Sequence, residues 1–126
     1  RRADLHTHFT VKLFFAVLAI TGTTFLSAEN VNARPYIYSH SYEYRGTHQK
    51  CIAQAKTVLQ NNSFGDFEEG QYLEIRTSEI KGYHDDESLT VVIECNQKIG
   101  ITNFAVSGLD NGLTYKMYQV LNKAKW

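Results

Sequence analysis

The stretch Leu89-Thr90-Val91-Val92-Ile93-Glu94-Cys95 alternates between apolar and more polar side chains. Its two faces are Leu89, Val91, Ile93 and Cys95 on one side and Thr90, Val92 and Glu94 on the other. An apolar set that repeats every second residue is typical of a β-strand with one face in the core, because successive side chains point to opposite sides of a sheet. The stretch therefore predicts the middle strand of a sheet, with Cys95 facing inward.

Further extended segments flank this strand on both sides. Residues 72–83 are expected to be extended and to reach it through the polar turn at 84–87. Residues 96–98 then turn the chain into another strand over 99–107. Consecutive strands joined by short turns predict an antiparallel meander. The segment 66–70, rich in carboxylates, is expected to be an acidic loop.

An aromatic strand and two helices complete the pattern. Residues 36–44 alternate strictly, which predicts a strand whose one face carries Tyr36, Tyr38, His40, Tyr42 and Tyr44. Thr47 is expected to cap a helix with the apolar positions Cys51, Ile52, Ala55, Val58 and Leu59. Asp110 is expected to cap a second helix with the apolar positions Leu113, Met117, Val120 and Leu121.

The predicted order of elements is therefore β-α-β-β-β-α. Helices and a sheet must bury their apolar faces against each other, and a two-layer arrangement does so with few elements. We therefore expect an α+β two-layer sandwich, in which two helices cover one face of an antiparallel sheet of about four strands.

The two cysteines fit this arrangement. Cys51 lies on the apolar face of the first helix and Cys95 on the inward face of the middle strand, so the two inner faces bring them together. We predict a structural disulfide between them, the alternative being two buried free thiols. A zinc site is disfavoured, because neither cysteine has a second cysteine or histidine at ligand spacing.

The first part of the chain has the features of an export signal. The apolar run over residues 13–20 is 8 residues long, whereas a membrane-spanning helix needs about 20. Small residues suit cleavage after Ala28 or, preferably, after Ala33. Residues 1–33 are thus predicted to precede a single domain over 34–126, placed in the periplasm or outside the cell. There are two alternatives. The segment over residues 1–33 is either an uncleaved anchor, which would be the sole attachment to a membrane that we expect, or a hydrophobic element of the fold.

The charge of residues 34–126 is nearly balanced, with 10 Lys and Arg against 11 Asp and Glu. Proteins that bind nucleic acid carry a basic surface, because neutralised phosphates supply most of their affinity. Nucleic acid is therefore not an expected partner.

The tyrosine-rich face of the first strand is the candidate binding surface. Tyr36, Tyr38, Tyr42 and Tyr44 are suited to stacking on sugar rings or peptide side chains, because tyrosine combines a large apolar ring with a polar tip. The alternative is that this face packs under the helices, since the opposite face, with its serines and Glu43, would form a poor core.

Catalytic and metal-binding patterns are weak in this chain. His40, His48 and His84 are the residues suited to acid–base chemistry, but their spacing brings no two of them together. The acidic run at 84–87, with Glu68 and Glu69, lacks a calcium-loop pattern and is more typical of a solvated turn. We expect no catalytic residue, no metal site and no cofactor.

The chain resembles a group of small uncharacterised exported bacterial proteins. The resemblance is carried by the aromatic strand, by three short segments and by the cysteine pair; the segments are Cys51-Ile52-Ala53-Gln54-Ala55, Val91-Val92-Ile93-Glu94-Cys95 and Phe104-Ala105-Val106-Ser107-Gly108. It departs at the first helix exit, which is Ser63-Phe64-Gly65, and it implies no activity. We therefore expect a non-enzymatic binding or interaction module of the cell envelope, with an envelope protein or a glycan as partner. The alternative is a small envelope hydrolase that uses His40 or His84.

Overall fold

The computed structural model describes residues 34–124 and Trp126, which form two helices and a five-stranded sheet. The strands are β1 (Tyr36–Glu43), β2 (Phe64–Tyr72), β3 (Thr77–His84), β4 (Leu89–Asn96) and β5 (Ile101–Gly108). The helices are α1 (His48–Asn61) and α2 (Asn111–Lys123). The predicted export segment, with its cleavage points after Ala28 and Ala33, lies outside the described residues.

The predicted α+β class is confirmed, with one strand more than expected. The segment 66–70, expected to be an acidic loop, lies within β2 and pairs with β3. As an edge strand, β2 has one neighbour and keeps its charged side chains in solvent, so acidic residues do not prevent pairing. The segment expected to be extended over 72–83 is broken by a 3-10 turn at Leu73–Ile75, after which Arg76 adopts a left-handed conformation with φ 47°.

The sheet is antiparallel throughout, with the strand order β1-β5-β4-β3-β2. The first strand, β1, lies at one edge of the sheet, α1 carries the chain to the opposite edge, and the meander from β2 to β5 returns it to β1. The first and last strands are therefore neighbours, with Tyr38 opposite Val106. This strand order leaves β1 and β2 as the two edges of the sheet.

Both helices cover the same face of the sheet, and the core lies between the two layers. The register places Ile93 between Ile80 and Phe104, and all three side chains are buried. Full burial of an aliphatic or aromatic side chain contributes about 1.5–3 kcal/mol, so this row is a main source of stability. α1 packs over β2, β3 and β4, whereas α2 packs over β1 and β5.

The predicted disulfide is present. Cys51 of α1 and Cys95 of β4 are bridged across a Cα–Cα distance of 6.1 Å, and the two residues are 0% and 1% exposed. The bridge therefore joins the helix layer to the sheet within the core, and it closes a loop with a sequence separation of 44.

The predicted N-caps are confirmed for both helices. The side chain of Thr47 accepts a hydrogen bond from Lys50 N, and that of Asp110 accepts one from Leu113 N. The apolar stripe predicted for α2 is partly wrong, because Leu113 and Val120 are exposed. The buried positions are Thr114 and Leu121, since the helix rests on β5 where Gly108 allows a close approach.

None of the helices in the described part of the chain is long and apolar enough to span a bilayer.

Candidate functional site

The tyrosines of β1 face the helix layer and are not all equally accessible. The Tyr38 ring lies 5.2 Å from that of Tyr115 and 5.7 Å from that of Tyr118, both on α2. Tyr42 packs edge-on against Trp126 at 5.8 Å and is half-buried. This face therefore packs partly under α2, as the alternative interpretation of the sequence expected.

The ends of the tyrosine face differ from its middle. Tyr36 is 45% exposed at the start of β1, whereas Tyr44 is half-buried just beyond its end, with its ring lying against Gly46. Burial raises the pKa of the Tyr42 phenol above its usual value. The four predicted residues therefore do not form one flat exposed strip.

An aromatic cluster instead spans both layers at this edge of the molecule. We call it the edge cluster; in it the rings of Tyr38, Tyr115 and Tyr118 are in contact, and Tyr36 and His40 lie on either side of Tyr38 on the same face of β1. Tyr115 is 46% exposed and lies 6.0 Å, ring to ring, from Tyr118. The two α2 tyrosines were not among the predicted binding residues, although their spacing of three residues places them on one side of a helix. Tyr38 Oη donates a hydrogen bond to Asn111 Oδ1, which joins the first turn of α2 to β1.

Among residues 34–124 and Trp126, β1 pairs with a strand on one side alone, and its other backbone edge is free beside this cluster. Tyr44 N donates to Gly100 O at 2.9 Å, and the register continues without a shift along β1 and β5. In an antiparallel pair, alternate residues exchange both backbone hydrogen bonds with the partner strand, and the residues between them point theirs away. The outward-pointing residues of β1 are therefore Ile37, Ser39, Ser41 and Glu43, and all four are exposed.

The other edge of the sheet is built differently. The register of β2 shifts between Gly65 and Glu68, and Asp66 there has φ 49°. The carboxylates of Glu68 and Glu69 are ion-paired, at 3.4 Å to Lys81 and 2.9 Å to Lys56. Bulges and charged side chains are the features that keep an edge strand from pairing with another chain.

β1 has none of these protective features along most of its length. Proline is absent from Tyr36–Glu43, and the only charged residue there is Glu43 at its end. β1 is therefore the edge of this sheet that is suited to accept a further strand.

The uncovered face of the sheet carries a row of polar side chains across four strands. Glu79 lies opposite Glu94, Glu94 lies opposite Asn103, and Ser41 Oγ donates to Asn103 Oδ1. Burial and the neighbouring charge of Glu79 raise the pKa of the Glu94 carboxyl. The row is a place where the net charge of this face changes with pH.

The histidines lie on three different elements and have different partners. His48 is buried at the start of α1, with Nδ1 2.7 Å from Ser78 Oγ, which is itself fully buried. The His84 ring packs against Phe64, and the His40 ring lies 6.4 Å from that of Phe104. Within residues 34–124 and Trp126, these contacts form no pair of histidines.

His84 is a structural element of the turn that it begins. Its Nδ1 accepts hydrogen bonds from Asp86 N at 3.1 Å and Glu87 N at 3.0 Å. The ring therefore uses Nδ1 as an acceptor for backbone N–H groups that the turn would otherwise leave unpaired. A cleft of about 320 Å³ borders this turn and is lined in part by His84, Glu87 and Leu109.

The acidic segments do not converge in the described structure. Among residues 34–124 and Trp126, no three His, Cys, Asp or Glu side chains are grouped closely enough to hold a metal ion.

No known protein family, characterised protein or solved structure matches the chain significantly. The candidate site is therefore defined by its own geometry, which combines a free strand edge with an accessible aromatic cluster.

Proposed function

We propose that this protein is a non-enzymatic binding module of the cell envelope that contacts its partner through the free edge of β1. The partner supplies an extended protein segment, which adds to the sheet as a further strand and also contacts the edge cluster.

The observation that carries the proposal is the contrast between the two edges of the sheet. The β2 edge has a bulge and ion-paired carboxylates, whereas β1 presents the backbone groups of Ile37, Ser39 and Ser41 in a regular, exposed row. In strand addition, backbone hydrogen bonds provide affinity and side-chain contacts provide specificity. The edge cluster supplies such contacts directly beside the row.

A protein segment fits this surface better than a glycan does. Sugar rings stack on flat, accessible aromatic faces, but the Tyr38 ring lies between β1 and the α2 tyrosines Tyr115 and Tyr118. A row of alternating backbone N–H and C=O groups is complementary to another strand.

Placement in the envelope rests on two arguments. Disulfides persist in oxidising compartments, and the buried Cys51–Cys95 bridge is compatible with such a location. The predicted export signal over residues 1–33 supports the same compartment.

A display experiment tests the proposal. The protein is immobilised sparsely, so that copies cannot meet, and is used to select binders from a library of unstructured peptides. The matched variants are S39P, which removes an outward N–H that an edge strand can lose, and S39A, which keeps it. We expect selected peptides to bind wild type and S39A equally and S39P at least about tenfold more weakly, since the lost bond leaves a peptide carbonyl unpaired. Far-ultraviolet circular dichroism checks that S39P is folded. The proposal is wrong if S39P binds the selected peptides as well as S39A does, or if β1 accepts no strand from any source.

A further inference from the structure

We infer that the segment received by this edge is β1 of a second copy, so that two copies form a symmetric dimer with one continuous sheet. The inference rests on the proposed function, because it names the partner of the same site.

The backbone of β1 restricts how two copies can pair. The outward-pointing residues are Ile37, Ser39, Ser41 and Glu43, so an antiparallel pairing must place these residues opposite one another. A two-fold axis at Ser39 satisfies this condition over residues 36–42. Ser39 then faces its own equivalent and Ile37 faces Ser41 of the second copy, with about six hydrogen bonds across the interface.

The neighbouring register is less favourable. A two-fold axis at His40 would place the carboxylate of Glu43 opposite Ile37. An apolar group gains nothing from a charged neighbour directly opposite it. The axis at Ser39 avoids this contact, because Glu43 then lies beyond the paired residues.

The same axis aligns the aromatic side chains of β1. Tyr36 lies opposite Tyr42 of the second copy, and Tyr38 lies opposite His40. These residues occupy the non-hydrogen-bonded positions, where the Cα atoms are about 4.5 Å apart and the side chains are closest. Aromatic cross-strand pairs stabilise neighbouring strands, so the alternating pattern of residues 36–42 complements itself.

The depth of the exposed surface favours a second copy over a single strand. The edge cluster spans the sheet and the helix layer, because α2 packs over β1 and β5 at this side of the molecule. An added strand covers the sheet edge alone and leaves Tyr115 of α2 in solvent. A second copy brings its own α2 beside the first, because its helix lies over its own β1, and therefore covers both layers.

The absence of repulsion between like charges supports pairing through β1. Two β1 strands bring together no like-charged side chains over residues 36–42. Two β2 strands would instead bring Glu68 and Glu69 of one copy toward those of the other. Like-charge repulsion thus disfavours self-association through β2, whereas β1 has no such repulsion.

Cysteine cross-linking tests the register directly. In S39C the two introduced thiols lie at the two-fold axis, where Cα atoms of a hydrogen-bonded pair are about 5.5 Å apart, within disulfide range. In the control S41C the equivalent Cα atoms are four residues out of register, about 13 Å apart, and cannot be bridged. The native Cys51–Cys95 bridge is buried and does not compete for these thiols.

We expect wild type and S39A to sediment as dimers, S39P to sediment as a monomer, and S39C alone to give a covalent dimer on a non-reducing gel. A monomeric wild type, a dimeric S39P, or equal cross-linking of S39C and S41C overturns the inference. If wild type is monomeric while selected peptides still bind in a manner sensitive to S39P, the proposed function stands and only the identity of the partner is wrong. If neither peptides nor a second copy bind, both are wrong.

Discussion

Loss of the Cys51–Cys95 disulfide is expected to destabilise this protein about as much as the truncation of a large core side chain. The bridge joins α1 to β4 with a sequence separation of 44, so its reduction releases a long loop in the unfolded chain. The chain-entropy relation gives about 4 kcal/mol for a loop of this size. The free energy of unfolding of a small domain is about 5–15 kcal/mol, so the reduced protein is expected to keep part of this stability.

The assay compares the oxidised protein with the same protein reduced in urea and refolded in reductant. Reduction keeps both sulfur atoms in the core, so this comparison isolates the loop term from any change of packing. With a urea m-value of about 1.3 kcal/mol/M, the unfolding midpoint is expected to fall by about 3 M. Trp126 is the only tryptophan and packs against Tyr42 and Phe104, so its fluorescence reports the transition.

The variant C51A/C95A provides a second measurement. Both half-cystines are almost fully buried, so alanine leaves unfilled space in the core and adds about 1–3 kcal/mol to the loop term. We expect the order of stability to be oxidised, then reduced, then the alanine pair. Equal urea midpoints for oxidised and reduced protein, with two thiols confirmed by titration, would refute the reasoning.

Three further substitutions test other parts of the structure. H84A removes the acceptor of two backbone N–H groups in the turn between β3 and β4, and calorimetry should show a loss of about 1–2 kcal/mol; an unchanged melting temperature would contradict this role. E94Q tests the repulsion from Glu79: because the folded state raises the pKa of Glu94, stability is lost as the pH rises through that pKa. E94Q should therefore melt above wild type near pH 8, and the difference should shrink as the pH falls toward about 4, whereas a constant difference would argue against the pair. G108A places a Cβ 3.0 Å from Ser88 O and closer still to α2, so urea unfolding should show a loss of about 1–3 kcal/mol, and an unchanged midpoint would mean that the layers are less tightly packed.

Much of the local structure could be predicted from the sequence, because the signals are local. Alternation identified β1, β4 and β5, and the hydroxyl of Thr47 and the carboxylate of Asp110 identified the starts of both helices. The Cys51–Cys95 bridge followed from two inward faces that had to meet. β2 was missed because its acidic residues, which an edge strand tolerates, are typical of a loop when taken alone.

The candidate site could be predicted only in part. The tyrosines of β1 were identified from their alternation, but their packing against Tyr115 and Tyr118 depends on which strands lie under α2. The free edge could not be derived from residues 36–44, because the alternation of side chains in a strand does not show how many neighbours the strand has.

The sequence by itself determined the helices, most strands, their inward faces and the bridged cysteines, since periodicity and capping act between residues close in the chain. The tertiary structure decided that β1 pairs with β5, as in Tyr38 opposite Val106, and that no other described strand pairs with the outer side of β1. Contacts between residues so far apart in sequence depend on how the helices and the sheet pack together around a shared core. That packing leaves the edge of β1 and the edge cluster together at the surface.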